Sequence, residues 1–145
     1  MAGYPEDEAA SLNSLNYRIQ KASSVFLVAT LGSELVGFAC GTQTAKDELD
    51  HASMFVHDPT GETLCIHSVC VSQKYRRQGI GSRLLRAYIK HVSSIEEPVL
   101  QSIRLLCKKP LLGFYKRVGF SLVGPSSVVH GRDQWFECLL ITQQK

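Results

Sequence analysis

Arg76-Arg77-Gln78-Gly79-Ile80-Gly81 sets two cations and two glycines between a β-branched apolar run and an amphipathic one. Where a strand gives way to a helix, backbone N–H groups without partners converge with the positive end of the helix dipole, and an anion is stabilised there. Glycine at 79 and 81 removes the β-carbons that would hold a phosphate away from those amides, while Arg76, Arg77 and nearby Lys74 add charge. The loop is not the dinucleotide fingerprint G-x-G-x-x-G, because Leu84 stands at the third glycine position, and no G-x-x-x-x-G-K-[ST] occurs. From the hexapeptide alone, a tight turn carrying solvated arginines is the alternative.

The elements that must position this loop can be read from periodicity. Leu64 to Val71 reads as a strand, whose alternation predicts Cys65, His67, Val69 and Val71 on one face. Ser82 to Val92 reads as a helix with Leu84, Leu85, Tyr88, Ile89 and Val92 on one side. Upstream, a helix is predicted over Ser11 to Lys21, and a hairpin from Val25–Ala29 and Leu35–Gly41 around Leu31-Gly32-Ser33-Glu34. Ala45 to Gly61 is polar and reads as a surface excursion overhanging a site. Downstream, Ile103 to Cys107 is predicted as a strand, Leu111 to Val118 as a helix closed by Gly119, and Ser121–Val123 with Trp135–Ile141 as closing strands.

The chain has 145 residues, 44% hydrophobic and 20% charged, which fits one mixed α/β domain over 1–145. A net charge of +3 is too small for a dedicated nucleic-acid binder, although the basic residues cluster from Lys74 to Lys90. Neither a membrane-spanning run nor a secretory leader is expected, and the five dispersed cysteines read as buried, reduced thiols of a cytoplasmic protein. His51, His57, His91 and His130 read as surface residues without metal-ligand spacing, so no metal is expected.

In its strand–loop–helix setting, Arg76 to Gly81 resembles the [QR]-x-x-G-x-[GA] acetyl-CoA motif of the GCN5-related N-acetyltransferases (GNAT). Leu35–Phe38, the Cys65–Gly81 block, Phe114–Phe120 and Val123-Gly124-Pro125 further resemble arylalkylamine (serotonin-type) N-acetyltransferases in order and spacing. The resemblance implies a mixed sheet flanked by helices, with a pantetheine slot between the Leu64–Val71 strand and the strand at Ser102–Cys107. It implies that amides of Arg77, Gln78, Gly79, Ile80, Gly81 and Ser82, aided by Arg76, hold the CoA pyrophosphate, and that the backbone at Val69, Cys70 and Val71 pairs with pantetheine. The family ordinarily begins with a further strand and helix, and the residues before Ser11 are too few for both.

That reading makes the chain an acetyl-CoA-dependent acyltransferase acting on a small primary amine, most naturally an arylalkylamine, by direct transfer. A polyamine or protein amine is the alternative acceptor, and a non-catalytic module that binds CoA, or docks its basic stretch on an acidic partner or nucleic acid, is the alternative class. An alkylammonium with a pKa of about 10.4 must lose a proton before attack, and His67, ordinarily titrating near about 6.5, is the acceptor expected from its position. The family carries two histidines spaced by two here, and this chain has Cys65 at the first position. The resemblance also assigns Tyr115 to the departing CoA sulfur, Phe114 reading as packing. Cys65 as a nucleophile lacks an orienting third group, and Trp135 and Phe136 read as core or as an aromatic pocket wall.

Overall fold

The computed structural model describes residues 12–46, 56–127 and 133–142. Helix α1 spans Leu12–Lys21, and strands β1 (Phe26–Leu31) and β2 (Glu34–Thr44) form the expected hairpin, turning at Gly32-Ser33 with Gly32 at φ 61°. Strand β3 (Thr63–Val71), helix α2 (Ile80–Ser93), β4 (Ser102–Lys108), α3 (Leu112–Val118), β5 (Ser121–Pro125) and β6 (Trp135–Ile141) follow. The six strands make one sheet in the order β1-β2-β3-β4-β6-β5, antiparallel except for β3 beside β4. The overhang expected from Ala45 to Gly61 falls largely on 47–55, outside the described residues. Its end is fastened to β2, with the Gln43 amide nitrogen donating to the carbonyls of Pro59 and Gly61 at 3.3 and 3.0 Å.

Helix α2 lies on one face of the sheet because its apolar stripe can be buried nowhere else. Leu84, Leu85, Tyr88 and Val92 are buried and join Ala39, Leu64, Ile66, Ile103 and Leu105 in the core. Each such leucine or isoleucine contributes about 1.5–3 kcal/mol by leaving water. The Tyr88 hydroxyl donates to the Val25 carbonyl at 2.7 Å, satisfying a phenol that burial holds protonated. Close approach of α2 also explains Gly41, where a Cβ would stand 2.4 Å from the Cys65 carbonyl oxygen and 2.9 Å from the Tyr88 oxygen. Gly41→Ala should therefore lower the free energy of unfolding by about 2–3 kcal/mol, read as a fall in the urea midpoint. An unchanged midpoint would mean that β2 and β3 are not packed this closely.

The alternation expected for β3 is broken. Cys40 pairs with Ser68 but Gly41 pairs with Ile66, so His67 has no partner on β2 and forms a bulge. Cross-strand partners share a face, and on the α2 side these are Gly37 with Val71, Ala39 with Val69 and Gly41 with Ile66. The opposite side, where α1 reaches Cys40 through Arg18, takes Thr42 with Cys65 and Cys40 with Ser68. His67 turns to that side as well, toward Thr42. The common face predicted for Cys65, His67, Val69 and Val71 is thus corrected: the two histidine-site residues and the two valines lie on opposite faces.

Candidate active site

The parallel ladder between β3 and β4 runs from Thr63–Ser102 to Ile66–Leu105 and ends there. Beyond Ile66 the β3–β4 ladder does not continue, so Val69, Cys70 and Val71 lie past its end. The bulge at His67 stands at the point of divergence, so one irregularity both ends regular pairing and redirects the imidazole. The ladder thus ends partway along β3, where the slot was expected.

At the far end of β3 the basic loop turns through two residues of positive φ. Arg77 has φ 64° and Gly79 φ 76°, so two left-handed residues flank Gln78. Alternation of this kind turns successive N–H groups toward one side and forms a concavity for an anion. A left-handed arginine is uncommon, and such strain persists where the surroundings demand it. Gly79 caps α2 without any side-chain hydrogen bond, so the first-turn amides from Ile80 onward have no capping side chain at that position. A Cβ at Gly79 would meet nothing within 4 Å, as expected of an open cradle. Gly81, predicted in the loop, belongs to the first turn of α2, and its Cβ position lies 3.7 Å from Val71 Cγ2 and 3.9 Å from Phe114 Cζ. The fold therefore joins the end of β3, the start of α2 and α3 at one place. The Arg76 Nε donates to the Val71 carbonyl at 3.4 Å, holding the loop to the strand.

His67 lies within 2.8 Å of the Thr42 hydroxyl through Nε2, while its Nδ1 is buried and has no hydrogen-bond partner among the described residues. Burial, followed by the positive charge of Arg18, pulls its pKa from the ordinary 6.5 down to about 3. The imidazole is neutral throughout the physiological range, contrary to the near-neutral titration expected. A group whose conjugate acid is this strong can accept a hydrogen bond but is a poor resting place for a proton. Thr42 and Arg18 were missed in the sequence reading. The available signal was the placement of Arg18 three residues after Leu15 on the sheet-facing stripe of α1, which buries it to 7% exposure.

Tyr115 is 7% exposed and meets Phe114 and Phe120 edge to face, with ring centroids 5.1 and 5.8 Å apart. Cys65 is fully buried, and all five cysteines are free thiols. His57 is not a solvated surface group: its Nδ1 accepts from the backbone N–H of Gln43 at 3.0 Å, and burial lowers its pKa. His91 lies 2.9 Å from the Ser24 carbonyl, and His51 and His130 fall outside the described residues. Trp135 sits at the start of β6 with the Lys108 ammonium 5.7 Å from its ring centroid.

Residues 2–120 match the family model of the acetyltransferase (GNAT) family. The chain belongs to the GNAT acetyltransferase family. A serotonin N-acetyltransferase of Mesocricetus auratus is 37% identical to this GNAT chain over 97 residues, 67% of the chain and 46% of the relative. The chain thus spans about half the length of the curated relatives it matches. Among solved structures, a GNAT-like decarboxylase, GphF, in complex with isobutyryl-CoA superposes with a TM-score of 0.83 at 18% identity, covering 97% of this chain and 89% of that one. Arabidopsis thaliana Naa50 in complex with a bisubstrate analogue, CoA-Ac-MVNAL, superposes at 0.68 and 17% identity, covering 96% of this chain and 85% of that one. Likeness at such low identity establishes the GNAT fold, which is the mixed sheet flanked by helices described above.

Proposed function

We propose that this chain moves the acetyl group of acetyl-CoA directly to a primary amine, with arylalkylamines as the acceptor class. The observation that carries the reading is the coincidence, along one strand, of an opened parallel ladder with a left-handed, uncapped amide cradle. The cradle from Arg77 to Ser82 suits a pyrophosphate, and the stretch of β3 past the end of its ladder with β4, at Val69, Cys70 and Val71, suits an extended amide chain such as pantetheine. The serotonin N-acetyltransferase relatives support the aromatic acceptor. Five buried free thiols agree with a reducing, cytoplasmic setting.

Bound acetyl-CoA supplies an activated thioester. In the transfer, the ammonium first loses one proton to water, the N–C bond forms, the C–S bond breaks, and the second proton that the nitrogen sheds on becoming an amide ends on the departing thiolate. His67 Nδ1 accepts a hydrogen bond from the attacking amine and directs its lone pair. Nε2 is kept on Thr42, so the ring has one orientation. The Tyr115 hydroxyl donates to the leaving sulfur, and Cys65, sealed in the sheet, takes no acyl group.

Tyr115→Phe retains the ring packing and removes the donor. It should lower kcat by about 10–100-fold with little change in CoA affinity, measured by initial rates and calorimetry. Full activity in this variant, or a kinetically competent acetyl-Cys65 by mass spectrometry, would remove the assignment. The acceptor class is tested by thiol release from acetyl-CoA with tryptamine, serotonin, phenethylamine, spermidine and lysine peptides. The aromatic amines should give the highest kcat/KM, and preference for spermidine or peptides would reassign the acceptor.

A further inference from the structure

We propose that Arg18 holds a carboxylate carried by the amine acceptor, so that amines bearing a carboxylate beside the amino group are preferred. The proposal rests on the acetyl-transfer reading and narrows its substrate. Arg18 projects from α1 onto the sheet, is 7% exposed, and places Nη1 3.9 Å from the Cys40 sulfur. That thiol supplies no countercharge, because burial keeps it protonated. Among the described residues the ion pairs are Lys74–Glu34, Arg104–Glu137 and Lys108–Asp133, and none includes Arg18. The buried carboxylate of Glu137 is thus already held by another arginine.

A guanidinium removed from water without an anion is costly, and its planar fork of donors matches a carboxylate. The second observation is His67 Nδ1, buried and without a partner on the same side of the β2–β3 pair. Arg18 reaches Cys40 and His67 reaches Thr42, which stand two residues apart on the same face of β2, so the two groups are neighbours on that face. In an α-amino acid the nitrogen and the carboxylate carbon are separated by a single carbon. One such ligand can satisfy both groups, its amine on His67 and its carboxylate on Arg18. This also puts the nucleophile where β3 and β4 diverge.

Matched amines with and without the carboxylate, tryptophan against tryptamine and phenylalanine against phenethylamine, test this by KM for thiol release. The carboxylated partner should bind about 10–100-fold better, the usual worth of a charge-assisted hydrogen bond. Arg18→Gln should bring that ratio to near unity, and Arg18→Lys should retain part of it. A structural reading is separated by thermal unfolding of ligand-free Arg18→Met. Removing an uncompensated charge at similar volume should raise the midpoint, whereas loss of a stabilising contact would lower it. Turnover of both partners with no carboxylate preference, or a lowered midpoint in Arg18→Met, overturns the proposal. Absence of thiol release with every amine would count against acetyl transfer itself, with the unfolding measurement still deciding whether Arg18 is an uncompensated charge.

Discussion

Gly79→Asp should weaken CoA binding by about 100-fold or more while the protein remains folded. The position is left-handed, φ 76°, and a Cβ there enters open space, so the substitution meets backbone strain but no clash. Aspartate is among the residues that tolerate this conformation, which keeps the cost in stability near about 1 kcal/mol. The effect on binding is electrostatic. A carboxylate about 4 Å from a phosphate at a protein surface is opposed by about 4 kcal/mol before screening by salt. It would also compete for the amides that the phosphate needs. Calorimetric titration of CoA into wild type and variant, with circular dichroism for the fold, reads the result. Unchanged affinity in a folded variant would place the phosphates elsewhere.

The second large effect concerns His67 and acid. The folded pKa of about 3 lies below the ordinary 6.5, so between these values the unfolded chain binds a proton that the folded chain refuses. Stability carried by this group is complete above pH 6.5 and is lost as the pH falls toward 3, by at most about 1.4 kcal/mol for each pH unit. His67→Ala lacks the titrating group. Its stability relative to wild type should therefore improve steadily from neutral to acid pH, measured as urea midpoints across that range. A constant difference would show that His67 is not held neutral by its surroundings.

The same variant should lower kcat/KM for amines by about 10–100-fold, less than loss of a full proton acceptor would cost, because only an oriented hydrogen bond is removed. The slope of log kcat/KM with pH should survive in His67→Ala, since the acceptor amine and not the imidazole titrates. A wild-type inflection near pH 6.5 that disappears in the variant would restore His67 as a titrating base.

How far the sequence carried the reading depends on which interactions each feature needs. The Gly32-Ser33 turn, the strand at Thr63–Val71 and the amphipathic face of α2 are local, and periodicity together with turn residues revealed them within a few positions. The cradle was legible from Arg76 to Gly81 because its glycines and cations are adjacent in sequence. The left-handed arginine at 77 was not, since nothing in an arginine side chain announces a positive φ. The bulge was hidden for another reason. Whether residue 67 has a partner depends on how β2 is registered against β3, and alternation in one strand carries no record of its neighbour. From that single slip followed the wrong face for His67 and the failure to see Thr42. Arg18 and His67, 49 positions apart in the chain, come to the same face of β2, at Cys40 and Thr42, only through tertiary packing.

Amide chemical shifts followed by NMR during titration with CoA test most directly whether the opened β3 edge and the start of α2 form the cofactor site. Resonances of Val69, Val71 and residues 77–82 should move together and saturate at one stoichiometric equivalent, those of β5 remaining in place. Saturable shifts confined to other parts of the sheet, or no shift at millimolar CoA in folded protein, would contradict the site.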